Sequence, residues 1–158
     1  KRENVLVYLC NAVEKCCREN GFVHNGIYRK WGSYGFNSEG ILVLDEYWLN
    51  ATVETYKGQA GYIYSVEENS DFSDLEGIPF AKISQKPQKV TDCEYIPDAY
   101  NALLQAAEEG KIVLTKYEDN SPKKLEWIRK ATLEEYNKDC GEEYKFFLEK
   151  KFPSIINS

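Results

Sequence analysis

Apolar residues fall along this chain in two periods, and the alternation between them predicts where strands give way to helices. Val5 to Cys10 is a short apolar run and reads as a strand. Asn11-Ala-Val-Glu14 then supplies a helix N-cap with an acid three residues on, and Val13, Cys16 and Cys17 give the apolar stripe of a helix running to about Asn20, where Gly21 closes it. Ile41 to Leu44 is continuously apolar, the pattern of a strand covered on both faces near the middle of a sheet. Glu46 to Lys57 follows as a helix stopped at Gly58, and Gly61 to Val66 as the next strand, so this strand, helix and strand form the unit around which the other elements are placed.

The second half alternates similarly. Ile78 to Ser84 reads as a short edge strand because Pro79 cannot donate to a ladder, and Lys86 to Ile96 as another edge. Pro97 and Asp98 open a helix with Tyr100, Leu103, Leu104 and Ala107 on its core face, ended by Gly110. Lys111 to Tyr117 is the next strand. Ser121-Pro122 caps the longest helix, with Leu125, Ile128, Ala131 or Thr132, Tyr136 and Cys140 on one face. Gly141 breaks it. A further helix from Glu142 aligns Tyr144, Phe147, Leu148 and Phe152, and Pro153 ends that. The expected architecture is a single α+β domain over residues 1–158, with a mixed central sheet of about five to seven strands. Residues 1–120 form its sheet-containing core and 121–153 a C-terminal helical pair.

Composition agrees with a packed globular chain: 158 residues, 42% hydrophobic and 14% aromatic, with twelve Tyr whose hydroxyls need partners wherever they are buried. The net charge of −6 disfavours a nucleic-acid backbone as the main partner. Residues 1–79 carry seven basic and twelve acidic side chains. Part of that excess is one acidic loop, Glu67, Glu68, Asp71, Asp74 and Glu76, whose spacing is not that of a calcium loop and reads as a solvated surface. Five cysteines without a CxxC pair, and a single His, argue against a disulfide framework or a Cys/His zinc site and for buried thiols in a reduced cytoplasm. No window is long and apolar enough for a membrane span. The chain opens without Met and contains none, so it is expected to be processed or part of something longer.

Candidate chemistry concentrates between Phe22 and Gly40, where four glycines and five aromatics share nineteen residues. Such a loop brings a ligand close to backbone, and His24, Tyr28, Arg29, Trp31 and Tyr34 are the candidate ligand- or partner-binding residues, with a short strand expected at Ile27 to Trp31. It contains neither a GxGxxG element nor a Walker lysine. Cys10 and His24 are the nearest nucleophile and base, and no spacing ties them into a catalytic pair. Asn50-Ala-Thr52 matches a glycosylation sequon inside a predicted helix.

The order of strand (Val5 to Cys10), helix ending at Gly21-Phe22, irregular loop, strand (Ile41 to Leu44), helix and Gly61-Tyr-Ile-Tyr-Ser-Val66 resembles small bacterial domains of the ADP-ribosyltransferase-like fold. The resemblance covers about residues 4 to 66 and implies an NAD-consuming transferase. In that superfamily the first strand carries a nicotinamide-binding His or Arg, and a late strand a Glu. Here the first run reads Tyr8-Leu9-Cys10, His24 and Arg29 come later, and Glu118 is the candidate acid, so no catalytic residue is carried over. Two readings follow. The first is a non-enzymatic protein-interaction or ligand-binding module of a bacterial or phage protein, needing no cofactor and taking a protein partner or small ligand. The alternative is a divergent ADP-ribosyltransferase-like enzyme using NAD.

Overall fold

The computed structural model describes all residues, 1–158. In chain order it holds a 3₁₀ segment (Arg2–Leu9), α1 (Ala12–Glu19), β1 (Tyr34–Phe36), β2 (Leu42–Asp45), α2 (Ala51–Tyr56), β3 (Gly61–Val66), β4 (Phe72–Asp74), β5 (Lys82–Ser84) and β6 (Val90–Ile96). After these come α3 (Ala99–Glu108), β7 (Ile112–Thr115), a 3₁₀ turn (Tyr117–Asp119), α4 (Pro122–Asn137), α5 (Glu142–Lys151) and α6 (Pro153–Ile156). The class is α+β, as the hydrophobic periods predict.

The strands do not join into one mixed sheet of five to seven. They form three small sheets, β1-β2-β7, β3-β6 and β4-β5. β2 is central in its sheet, as its apolar run predicts, but β3 pairs antiparallel with β6 instead of joining β2. Two other expectations fail with it. Ile27 to Trp31 contains no strand, and Val5 to Leu9 lies in a 3₁₀ helix, with Leu6 and Val7 buried and Tyr8 58% exposed. A six-residue apolar run carries too little periodicity to separate a strand from a buried helical turn. Two helix ends also differ: α2 begins only at Ala51, and Pro153 starts α6 at its first turn rather than ending the helical region.

The chain passes three times through each of two compact units. The first comprises Lys1–Leu9, Tyr34–Leu44 and Tyr56–Leu114. Its core is Leu6 and Val7 from the 3₁₀ segment, Leu42 and Leu44 from β2, Ile63 and Ile96 from the β3-β6 ribbon, Ile112 from β7, and Ala99, Leu103 and Ala106 from α3. The buried stripe of α3 is thus rotated from the predicted one, and Leu104 lies at the surface. Tyr56 donates its hydroxyl to the Val7 carbonyl at 3.0 Å. Asp98 caps α3 by accepting from Asn101 N at 3.1 Å and also takes the Gly58 N–H at 3.0 Å. Those two backbone donors, Gly58's first, hold the Asp98 carboxyl below its ordinary range.

The second unit comprises Cys10–Ser33, Asp45–Thr55 and Thr115–Ser158. Its core is a ring cluster: Trp48, Tyr144, Phe147 and Phe152, with Val13, Cys16, Cys17 and Ile128 around it and Trp31 and Tyr47 packed against it. Phe147 is fully buried, its ring centroid 5.3 Å from that of Trp31 and 5.8 Å from that of Trp48. α1 and α4 start where their caps predict. Asn11 accepts from Val13 N at 3.0 Å and Ser121 from Lys124 N at 3.1 Å. No helix is long and apolar enough to cross a membrane.

Candidate interaction surface

The predicted loop residues fall in both units. In the second, Trp31 is a core side chain whose ring meets Tyr47, Trp48, Phe147 and Phe152, and its indole N–H is buried with no acceptor. The His24 ring packs edge-on to Tyr28 at 5.0 Å, and its Nε2 lies 3.8 Å from the buried Glu143 carboxylate. Glu143 is in the first turn of α5, where the free N–H groups favour an anion. It also packs close to Gly141, whose φ of +86° suits glycine and where an added Cβ would come within 2.7 Å of Glu143 Oε2. Arg29 approaches the Asp139 carbonyl at 3.5 Å and the Tyr144 ring at 5.9 Å. Burial pushes the Tyr144 phenol up to about 12. His24, Tyr28, Arg29 and Trp31 are therefore gathered around α5 as packing and pairing groups. Glu118 lies exposed in the 3₁₀ turn and makes no ion pair with His24 or Arg29.

Tyr34 belongs to the first unit, on β1, where its ring meets that of Tyr8 edge-on at 6.0 Å. Burial, with Tyr8 beside it, pushes its phenol up to about 12.

The aromatic surface that the structure does present is on the β3-β6 ribbon. Alternation along β3 sends Ile63 inward and Tyr62, Tyr64 and Val66 to the opposite face. Across the ladder Tyr62 stands opposite Tyr95, Tyr64 opposite Cys93 and Val66 opposite Val90. The result is one exposed face of three tyrosines, two valines and a thiol. Tyr62, Tyr64 and Tyr95 are 55%, 63% and 55% exposed. The rings of Tyr62 and Tyr64 stack at 6.3 Å and those of Tyr62 and Tyr95 lie 5.1 Å apart, so they form a continuous plate. β6 is exposed at six of its seven residues, and its one strand neighbour is β3.

The sequence predicts Gly61 to Val66 as a strand of one central sheet, without the exposed face it presents. The signal available was the alternation Tyr62, Tyr64, Val66, a period of two with Ile63 as the one strongly apolar residue on the other side. The unit bearing this plate is the acidic part of the chain, with seven basic and twelve acidic side chains against thirteen and fourteen in the second. No group of His, Cys, Asp and Glu side chains is arranged to hold a metal ion.

Searches among family models, curated proteins and solved structures find no match to this chain.

Proposed function

We propose that this protein is an interaction module that docks a basic protein surface through the tyrosine face of the β3-β6 ribbon. The observation that carries the reading is the plate itself: three rings more than half exposed, in mutual contact, on a two-stranded sheet with no element covering that face. Tyrosine supplies large rigid contact area with few rotatable bonds and a hydroxyl for hydrogen bonding, which suits an interface more than an unoccupied surface. The excess of five acidic charges on the same unit selects a partner rich in Arg and Lys, and phenol rings accept such cations on their faces.

The test compares proteins captured from native lysate by the wild type and by the triple variant Tyr62→Ser/Tyr64→Ser/Tyr95→Ser. The reading expects a basic protein that is held by the wild type, lost with the triple variant and released by raised salt. Capture that is unchanged in the triple variant would overturn it.

A further inference from the structure

A groove of about 400 Å³ runs along the edge of β3 that faces away from β6. Consecutive β3 residues, 63–66, form one side of it. The 3₁₀ segment contributes Lys1, Arg2 and Val5, and the β4-β5 region contributes Phe72, Phe80 and Lys82. Lining by consecutive residues means that the strand presents its backbone as well as its side chains. The ladder shows which backbone groups are free. The Cys93 N–H donates to Asp92 Oδ1 at 2.9 Å, so it points away from β3, and the opposed pair Tyr64 and Cys93 is one of the non-hydrogen-bonded pairs of the antiparallel ladder. In such a pair the N–H and C=O of each residue face outward. Those of Tyr64 therefore face the groove.

Phe80 adds an independent sign of specialisation. Ile78 to Ala81 is a turn closed by Ala81 N–H to Ile78 C=O at 3.2 Å, with Pro79 at its second position and Phe80, at φ +62°, at its third. That position calls for glycine in this turn, and a bulky aromatic there is an outlier. Its ring lies over Gly40 on one side, where an added Cβ would come within 3.2 Å of it, and is 56% exposed on the other. The ring forms part of the groove wall, with the Lys1 ammonium 4.1 Å from its centroid. A strained backbone that turns the open face of a ring toward a groove is expected where a side chain serves binding.

Charge decides the occupant. Three cations and a single carboxylate, Glu68, line this groove although the unit as a whole is acidic. Arg2 is already held by Glu94 at 2.7 Å and Lys82 by Glu68 and Asp74 at 2.8 and 3.0 Å, whereas Lys1 makes no ion pair. We infer that the groove receives an extended peptide segment of a partner protein, which adds as a strand to β3 and alternates apolar with acidic side chains. The apolar side chains lie against Val5, Phe72 and Phe80. The carboxylates face the Lys1 cation and its neighbours. Main-chain pairing to Tyr64 gives affinity, and the pockets for alternate side chains give specificity. The 3₁₀ segment and the β4-β5 region flank the β3 edge on its two sides. A free segment can enter. This inference deepens the reading of the protein as an interaction module and rests on it.

The test uses a fluorescein-labelled, end-blocked heptapeptide of alternating valine and glutamate, its counterpart with lysine for glutamate, and a copy N-methylated at alternate amides. The glutamate peptide is expected to give saturable anisotropy, weakened about tenfold or more by N-methylation and by Phe80→Gly or Phe80→Ala, with the far-UV spectrum of the variants unchanged. Tyr62→Ser and Tyr95→Ser, which alter the plate but not the groove lining, are expected to leave the peptide affinity within about twofold. Equal binding of the lysine or N-methylated peptide, no saturation with the glutamate peptide, or unchanged binding by folded Phe80 variants would each overturn the inference. So would a dimer in light scattering that the Phe80 variants dissociate. If the peptide fails while the plate variants still lose their partner, the groove assignment alone falls. If the peptide binds and the plate variants lose nothing, the plate reading falls and the groove stands.

Discussion

Replacing Phe80 by glycine and by alanine separates the ring's contribution from the strain beneath it. Both changes remove the same ring and the same contact with Lys1, and differ in whether a Cβ remains at φ +62°. An L-residue in the left-handed region is disfavoured by about 1–2 kcal/mol, which glycine avoids. Glycine forfeits about 0.5–1 kcal/mol of this through the greater freedom of its unfolded chain. Phe80→Gly is therefore expected to be more stable than Phe80→Ala by about 0.5–1 kcal/mol. In a chain of this length that is a difference of about 2–4 °C or less in thermal midpoint. Urea unfolding followed by far-UV circular dichroism is the assay. Tryptophan emission does not serve, because Trp31, Trp48 and Trp127 all belong to the second unit while Phe80 belongs to the first. An alanine variant as stable as the glycine variant, or more so, would refute the turn geometry on which the strain argument rests.

Other outcomes follow from the same geometry. Phe147→Ala, which empties a fully buried site among Trp31, Trp48 and Tyr144, is expected to lower stability by about 3–5 kcal/mol and to red-shift tryptophan emission on partial loosening, measured by urea titration of fluorescence. Asp98 has its carboxyl held down by the Gly58 and Asn101 N–H groups, so its stabilisation is full above the ordinary aspartate range and is lost as pH falls through the lowered value. The gap in urea midpoint between wild type and Asp98→Asn should thus be open at neutral pH and close in strong acid. Cys93 is exposed, while burial pushes the Cys16, Cys17 and Cys140 thiols up, Cys17 to about 11. Titration of the native protein with a thiol-reactive disulfide reagent should give a fast phase from Cys93 and slow reaction of the three buried thiols. Equal rates would contradict the burial assigned to them.

What could be read in advance was local. Asn11, Asp98 and Ser121 cap the helices they were expected to cap because each side chain completes backbone donors a few residues away. The stops at Gly58 and Gly110 are likewise local, each glycine taking a positive φ, whereas α4 ends at Asn137, before Cys140 and Gly141, and Gly141 instead precedes α5. Strand partnership is not local. Nothing in Gly61 to Val66 distinguishes β6 from β2 as a neighbour, since the choice depends on residues some thirty positions away that complete the ladder from Gly61–Ile96 to Val66–Val90. The short strands of β4-β5 and the 3₁₀ segment are set by the same long-range packing.

The candidate surface was illegible for a related reason. Trp31 and Tyr28 sit in a glycine-rich stretch that reads as exposed loop, yet large rings beside a helix such as α5 gain more by packing, and Trp31 does so even with its N–H unpaired. Tyr62, Tyr64 and Tyr95 sit in strands, where aromatic residues are ordinary. Their significance appears only when β3 and β6 are seen to form a ribbon with an uncovered face.

The central claim is that the ribbon's tyrosine face is where another protein binds. It is tested most directly by placing a photo-crosslinking phenylalanine analogue at position 62, 64 or 95 and, as a control, at the exposed Ile27 of the second unit. The account predicts that the three ribbon positions crosslink to one and the same basic protein and that position 27 does not. Adducts that are absent from the ribbon, or identical at position 27, would contradict it.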